Sequence, residues 1–202
     1  MRLLLVFAHP CPESFGSSLC RTAVETLTAG GHEIRLRDLY AEGFDPVIRD
    51  AEWRAYFADP AASEAALADH LDDLRWAEGL VLIYPTWWYG PPAMLKGWFE
   101  RVWLPGVTFG IPASKLGRIT RKLDNIRLFM AITTSGSPWW WLRVIRDPGR
   151  NLFMRGMRPL LHPRCRFVWR QLHAMNHASQ TDRDRFRAKV AATLRAVPAE
   201  AA

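Results

Sequence analysis

The chain has 202 residues, of which 49% are hydrophobic and 23% charged, a composition typical of a globular protein rather than a disordered one. No run of about 18 or more apolar residues is present, which excludes a membrane-spanning helix. The net charge of +7 suggests nucleic-acid binding, but no recognition motif accompanies the arginines, so we predict no nucleic-acid partner. Cys11, Cys20 and Cys165 have no metal-ligand spacing and predict a reduced, cytoplasmic protein without a metal site.

Apolar runs alternate with amphipathic segments along the whole chain. The predicted strands are Leu3–Ala8, Glu33–Leu39, Leu80–Tyr84, Ile126–Thr133 and Arg164–Leu172. The predicted helices are Ser17–Leu27, Ala61–Trp76, Ala93–Trp103, Asn151–Leu161 and Arg183–Val197. This alternation predicts an α/β protein with helices on both faces of a five-stranded parallel sheet of order 2-1-3-4-5. We find no linker or repeat, so residues 1–202 are predicted to form a single domain.

In a sheet of that order, the loops after strands one, three and four meet at one crevice. The first loop, His9 to Ser18, offers hydroxyls and backbone amides at a helix N-terminus, where the helix dipole favours a phosphate. The alternative is structural: Ser14 or Ser17 caps the helix, and His9 is a satisfied residue at a strand end.

The second of these loops carries three consecutive aromatic residues, Trp87, Trp88 and Tyr89, before Gly90 and the helix-starting Pro91-Pro92. Aromatic rings beside free backbone N–H groups suit a planar, hydrogen-bonding ring such as an isoalloxazine. The alternative is that they fill the core or an interface. The third loop, 133–137, is small and polar, so its backbone can approach such a ring.

These loops carry a resemblance to a known family. The supporting residues are Ala8-His9-Pro10 with Ser14-Phe15, Asp38-Leu39-Tyr40, Phe44-Asp45-Pro46, Thr133-Thr134-x-Gly136 and, above all, Pro85-x-Trp87-Trp88-Tyr89-x-Pro91-Pro92-Ala93-x-Leu95-Lys96-Gly97-Trp98-Phe99-Glu100-Arg101-Val102. The chain resembles the flavodoxin-like NAD(P)H:quinone oxidoreductases, a group that includes DT-diaphorase, drug-activity modulators and ancillary proteins of potassium-efflux systems. The resemblance implies a flavodoxin-like three-layer sandwich.

The resemblance also implies a site. It places flavin contacts at His9, Ser14, Phe15, Gly16, Ser18, Pro85, Thr86, Trp87, Trp88, Tyr89, Thr133, Thr134, Ser135 and Gly136, and we add a substrate pocket of Trp88, Tyr89, Trp140 and Trp141. We favour FAD over FMN because the connection from Gly43 to Ala66 resembles the longer version in FAD-binding members. The family's proton-relaying Tyr and His after the fourth strand are absent from 138–143, so no catalytic side chain is named.

We therefore expect ping-pong hydride transfer from NAD(P)H through the flavin to a quinone-like acceptor. The main alternative is a flavin-loaded regulatory subunit that docks on a membrane transporter. A further alternative is that Trp139–Leu161 anchors the protein to a membrane surface. Arg143 or Arg146 could hold an NADPH phosphate or be solvated surface residues. A homodimer is implied by the family and predicted because Trp98, Phe99 and Trp103 cover more than one face of a helix.

Overall fold

A computed structural model describes residues 1–112, 114 and 117–200. The strands are β1 (Arg2–Phe7), β2 (Glu33–Asp38), β3 (Gly79–Pro85), β4 (Phe109–Gly110), β5 (Thr120–Arg121), β6 (Leu128–Thr134) and β7 (Arg166–Leu172). The helices are α1 (Phe15–Ala29), α2 (Asp50–Ala58), α3 (Pro60–Ala66), α4 (Ala68–Trp76), α5 (Ala93–Val102), α6 (Trp139–Val144), α7 (Pro148–Asn151) and α8 (Gln180–Arg195). A π-helical segment, Leu152–Met157, and two short 3₁₀ turns, Arg158–Leu160 and Met175–His177, complete the chain.

Five strands form one parallel sheet in the order β2-β1-β3-β6-β7. Counting only these strands, the order is 2-1-3-4-5, so the predicted fold is confirmed. The short β4 and β5 pair antiparallel in a separate ribbon that the sequence pattern did not predict. The single-domain prediction for residues 1–202 stays a prediction.

The sheet separates two hydrophobic cores, because successive side chains of a strand point to opposite faces. Leu3 and Leu5 pack with α1 and α8 on one face, and Leu4 and Val6 pack with α4 and α5 on the other. Every residue of β3 is buried. Central strands covered on both faces explain the continuous apolar runs in the sequence, and this sandwich holds the loops at the carboxyl edge of the sheet in place.

The connection after β2 is anchored on α5. An added Cβ on Gly97 would lie 2.1 Å from the carbonyl oxygen of Pro46, so only glycine permits this close approach. The guanidinium of Arg101 donates to the carbonyl oxygen of Asp45 at 2.5 Å and to Glu52 Oε1 at 2.7 Å. Residues of two motifs that carry the family resemblance, Phe44-Asp45-Pro46 and the motif that contains Gly97 and Arg101, therefore contact each other. Through Glu52 they also position α2, a helix that was not predicted.

Two sequence predictions are wrong in this part of the molecule. Residues 151–161 do not form a regular α-helix: the π-helical segment and a 3₁₀ turn occupy the stretch, and Pro159 has no N–H to continue helical hydrogen bonding. The stretch Trp139–Leu161 is divided among α6, α7, the π-helical segment and a 3₁₀ turn, and its role as a membrane-surface anchor stays a prediction. Within the described residues, no helix is long and apolar enough to cross a membrane.

The second error concerns α5. Trp98, Phe99 and Trp103 are each at most 5% exposed in the single chain. Trp98 packs edge-on against Phe99, which in turn packs against Trp103, and Trp98 Nε1 donates to His70 Nδ1 at 3.3 Å. Because all three side chains belong to the hydrophobic core of the single chain, they do not require a partner subunit, and the argument for a dimer from this helix fails.

Candidate functional site

A cavity of about 780 Å³ opens at the carboxyl edge of the sheet, where the loops after β1, β3, β6 and β7 meet. We call it the loop cavity. It is lined by His9, Ser14, Phe15, Gly16, Pro85, Thr86, Trp87, Trp88, Tyr89, Thr134, Ser135, Gly136, Ser137, Met175 and Asn176. The structure thus brings together the three loops that the strand order predicted to converge.

The loop after β1 presents the N-terminus of α1 to the cavity. Ser14 is the N-cap, and its Oγ accepts from the amide of Ser17 at 3.1 Å. Within the described residues, no backbone acceptor takes the amide protons of Phe15 and Gly16. An added Cβ on Gly16 would lie 3.3 Å from the ring of His9. The wall is therefore narrow and rich in donors, which suits a phosphate.

His9 lies at the edge of this wall. Its Nδ1 accepts from the amide of Cys11 at 3.0 Å, and burial lowers the pKa of the imidazole. A neutral ring whose Nδ1 is an acceptor carries its proton on Nε2. His9 can therefore donate one hydrogen bond to an anion without carrying a charge.

The aromatic loop after β3 is a tight reverse turn. The amide of Trp87 donates to the carbonyl oxygen of Gly90, and the amide of Gly90 donates back, each at 3.0 Å. The two central residues, Trp88 and Tyr89, have φ values of 47° and 62°. This left-handed conformation costs a residue with a Cβ about 1–2 kcal/mol. Asn and Gly usually occupy such positions, so two large aromatics here are strained, and strain of this kind clusters at functional sites.

The turn holds its aromatic side chains outside the core. The Trp88 side chain is 95% exposed, and the amides of Trp88 and Tyr89 have no backbone acceptor in the described part of the chain. The Tyr89 hydroxyl accepts from Trp141 Nε1 at 3.2 Å. Rings and unpaired donors therefore face the same cavity as the N-terminus of α1.

The third wall consists of small residues after β6 and of the turn after β7. The amide of Ser135 donates to the carbonyl oxygen of Leu172 at 2.8 Å, and that of Met175 donates to Ser135. An added Cβ on Gly136 would lie 3.0 Å from Asn176 Nδ2. Ser137, Met175 and Asn176 were not among the predicted site residues. Since Asn176 follows the fifth parallel strand, the same carboxyl-edge rule could have identified it.

Four predicted residues do not line the cavity. Thr133 is buried behind it, where its hydroxyl lies 2.9 Å from that of Thr86. The Ser18 hydroxyl points back into α1 and donates to the carbonyl oxygen of Phe15 at 2.7 Å. Trp140 and Trp141 on α6 stack edge-on outside the cavity, and only Trp141 reaches it, through Tyr89.

The geometry fits a flavin. Unpaired amides of α1 suit a phosphate, the shelf of Trp87 to Tyr89 suits a flat ring, and the polar residues Ser135 and Asn176 line the remaining wall. No His, Cys, Asp or Glu cluster able to hold a metal ion occurs among the described residues.

Comparison with known proteins agrees with this geometry. The profile of the family described as "Flavodoxin-like fold" matches residues 1–143. NAD(P)H dehydrogenase [quinone] 1 of Cavia porcellus is 32% identical over an alignment of 151 residues, with coverage of 67% of this chain and 54% of that protein. The chain thus spans about half the length of the curated relatives it matches.

Solved structures extend the likeness to nearly the whole chain. Smu.1420 from Streptococcus mutans has a TM-score of 0.83 and 27% identity, with coverage of 98% of this chain and 100% of that one. An FMN-dependent NADH-azoreductase from Bacillus anthracis, solved with FMN, has a TM-score of 0.75 and 14% identity, with coverage of 96% and 97%, and shares the fold. With its family match over residues 1–143, the chain belongs to the flavodoxin-like fold family and is related within it to a quinone-linked NAD(P)H dehydrogenase.

Proposed function

We propose that the chain is a flavin-dependent NAD(P)H:quinone-type oxidoreductase. One observation carries the proposal: a strained turn presents Trp87, Trp88 and Tyr89 to the same cavity as the open N-terminus of α1. The relationship to a quinone-linked NAD(P)H dehydrogenase supports the reaction class.

Each wall of the loop cavity has a separate binding role. The amides of Phe15 and Gly16, with Nε2–H of His9, would hold the flavin phosphate. The amides of Trp88 and Tyr89 would donate to the polar edge of the ring and stabilise negative charge there. Ser135 and Gly136 would let the backbone approach the pyrimidine side. The rings of Trp87 and Trp88 would give a flat acceptor a surface on which to stack.

When bound, a flavin would supply the two-electron chemistry between a nicotinamide and a quinone-like acceptor. Among the residues that line the loop cavity, no carboxylate is present. The cavity lining therefore places no fixed negative charge beside a reduced, anionic ring. It also offers no carboxylate as an acid or base, so we expect the chain to contribute to the reaction mainly by binding and orienting the flavin and its substrates. Because one open shelf serves both substrates, donor and acceptor would use it in turn, which gives ping-pong kinetics.

We further propose FAD as the flavin, a homodimer as the active form and a cytoplasmic location. The long connection before α4 supports FAD, as in the related FAD-binding proteins, and FMN is the alternative. Exposed Trp87, Trp88, Trp139 and Trp140 support a dimer, since a partner over them would exclude water from the cavity. Cys11, Cys20 and Cys165 are all free thiols, in keeping with a reducing compartment.

The test uses the purified full chain. We expect a yellow protein that releases FAD on denaturation and that reduces menadione with a reduced nicotinamide dinucleotide, with parallel double-reciprocal plots. A protein that takes up neither FAD nor FMN contradicts the proposal. A protein that binds flavin but turns over menadione at the rate of free flavin supports instead a regulatory subunit that docks on a membrane transporter.

A further inference from the structure

A second cavity, of about 700 Å³, lies between the edge strand β7 and the α6–α7 region. We call it the arginine cavity. It is lined by Trp139, Leu142, Arg143, Arg146, Asp147, Arg150, Asn151, Met154, Arg155, Trp169, Gln171 and His173. Its volume is that of a typical small-molecule site, and the loop cavity does not share these residues.

The charge of this cavity is unbalanced. Arg143, Arg146, Arg150 and Arg155 face it with one carboxylate, that of Asp147, whose Oδ1 accepts from the backbone amide of Arg150 at 3.1 Å. Across residues 1–112, 114 and 117–200, none of these four guanidinium groups has an ion pair or a side-chain hydrogen bond. Four like charges around one concave surface repel each other and raise the local concentration of anions.

Three arginines elsewhere in the chain show what a paired guanidinium looks like. Arg35 and Arg37 donate to the buried Asp73 at 2.8 and 2.5 Å, and Arg101 donates to Glu52 at 2.7 Å. A guanidinium fork fits phosphate oxygens in a bidentate manner. Because four such forks line one concave surface, the chemistry of the cluster matches a phosphate group.

The rest of the lining suits an aromatic, hydrogen-bonding ring. The indoles of Trp139 and Trp169 supply flat apolar surface. The Nδ1 atom of His173 is buried without a hydrogen-bond partner among the described residues, an arrangement that a ligand donor or acceptor would relieve. The rim is strained, since Arg146 and Asp147 have φ values of 60° and 40°, and strain of this kind concentrates at ligand sites.

The two cavities adjoin each other. Ser137 lines the loop cavity and Trp139, two residues later, lines the arginine cavity. Behind the shared wall, Gly149 of α7 packs against the backbone of Tyr89, with an added Cβ only 2.6 Å from its carbonyl oxygen. A ligand with one end on the aromatic shelf and a long flexible body would extend from there toward the guanidinium groups.

We propose that the arginine cavity binds the 2′-phosphorylated adenosine end of NADPH and makes the phosphorylated dinucleotide the preferred reductant. This inference rests on the proposed function. The 2′-phosphate carries a charge of about −1.5 to −2 at neutral pH, which Arg143 and Arg146 bind, while the adenine stacks on indole. NADH lacks that phosphate and leaves the guanidinium groups unpaired.

Binding of adenosine nucleotides tests the site without any turnover. Isothermal titration calorimetry would compare 2′,5′-ADP with 5′-ADP, two nucleotides that carry the same number of phosphate groups. We expect 2′,5′-ADP to bind at least tenfold more tightly at low salt, and the preference to weaken at high salt. In the double variant Arg143→Gln/Arg146→Gln the two affinities should become equal. The control Arg164→Gln removes one arginine just before the amino end of β7, outside the cavity lining, and should retain the preference.

Steady-state kinetics provide the second readout. The ratio of kcat/KM for NADPH to that for NADH should fall about tenfold in the double variant, through the KM for NADPH, and stay unchanged in Arg164→Gln. Equal affinity of the wild-type protein for the two nucleotides, or an unchanged preference in the double variant, overturns the inference. A flavin-loaded enzyme that turns over NADH and NADPH equally would overturn it while leaving the proposed function intact, whereas failure to bind flavin overturns the function.

Discussion

Gly149 packs directly against the aromatic turn: an added Cβ at this position would lie 2.6 Å from the carbonyl oxygen of Tyr89 and 3.3 Å from the Cα of Gly90. The neighbouring atoms belong to backbone, which cannot rotate away as a side chain can. The turn has a left-handed conformation at Trp88 and Tyr89. Its position depends on residue 149 being glycine, because any larger residue would collide with its backbone.

Replacing Gly149 by alanine should therefore move the aromatic turn. We expect Gly149→Ala to weaken flavin binding at least tenfold, because the amides and rings of the turn would shift from their positions in the cavity. Fluorescence titration with FAD measures the change. The matched control is Gly156→Ala, where the nearest atom to an added Cβ is Leu152 Cδ1 at 3.8 Å. Equal flavin affinity in the two variants would show that Gly149 does not position the site.

Trp88 should contribute to turnover and little to folding. Its side chain is 95% exposed, so we expect Trp88→Ala to change the free energy of unfolding by no more than about 0.5 kcal/mol, while kcat/KM for menadione falls several-fold. Trp88→Gly should lose the same activity but gain about 1 kcal/mol of stability, because glycine adopts a φ of 47° without strain. Urea denaturation and steady-state rates measure both effects.

The exposed Trp53 on α2 provides the control for that experiment. It stacks on Tyr56 and does not line the loop cavity, so Trp53→Ala should keep the menadione rate. If Trp88→Ala instead unfolds at a clearly lower urea concentration and keeps its activity when folded, the aromatic turn is a packing element.

His70 makes stability depend on pH. Burial, followed by the charge of Arg37, lowers its pKa to about 4, and the neutral Nδ1 accepts from Trp98 Nε1 at 3.3 Å. In the unfolded chain the imidazole takes up a proton near pH 6.5. Below that pH the unfolded state binds more protons than the folded state, so stability falls as the pH falls toward 4.

Between pH 7.5 and pH 5, His70 alone should lower the free energy of unfolding by about 2 kcal/mol. His70→Gln keeps a hydrogen-bond acceptor for Trp98 but cannot be protonated. Urea denaturation of both proteins at several pH values isolates the contribution of His70, since the other histidines are common to both. Parallel stability curves for the wild type and the variant would mean that His70 titrates normally in the folded chain.

The sheet and the convergence of its loops could be predicted because both follow from local patterns. Apolar runs such as Leu80–Tyr84 mark central strands, and the strand order then determines which loops meet. Gly97 was part of the recognised motif. The reason why this position must be glycine is its close approach to the carbonyl oxygen of Pro46, and that contact joins two segments that are distant in the sequence. The sequence can therefore reveal a motif without revealing the contact that requires it.

Prediction failed where a side chain's direction or a backbone strain decides the outcome. Thr133 and Thr134 are adjacent, yet they point to opposite faces of β6, so only Thr134 lines the cavity. The sequence left Arg143 and Arg146 as either phosphate-binding or solvated residues, and it did not group them with Arg150 and Arg155. A left-handed Arg146–Asp147 pair, which no sequence rule predicts, helps to bring the four side chains around one cavity.

The dimer prediction now depends on α6 rather than on α5. Trp139, Trp140 and Val144 are each more than half exposed and form an apolar patch beside the loop cavity. Such patches on a soluble protein commonly mark an interface, and a twofold partner is the usual occupant. If each partner covers the other's patch, a charge placed at its centre should separate the chains without unfolding them, because Trp140 does not belong to the core.

We therefore expect the wild type to sediment as a dimer at micromolar concentration and Trp140→Glu to sediment as a monomer with unchanged secondary structure. Trp53→Glu introduces the same charge at another exposed tryptophan, 61% exposed on α2, and should remain a dimer. Menadione turnover should fall in the Trp140 variant and recover in part at high protein concentration, because association then restores the cover over the cavity. A wild type that is monomeric at these concentrations, with full activity after dilution, would show that one chain forms the complete site.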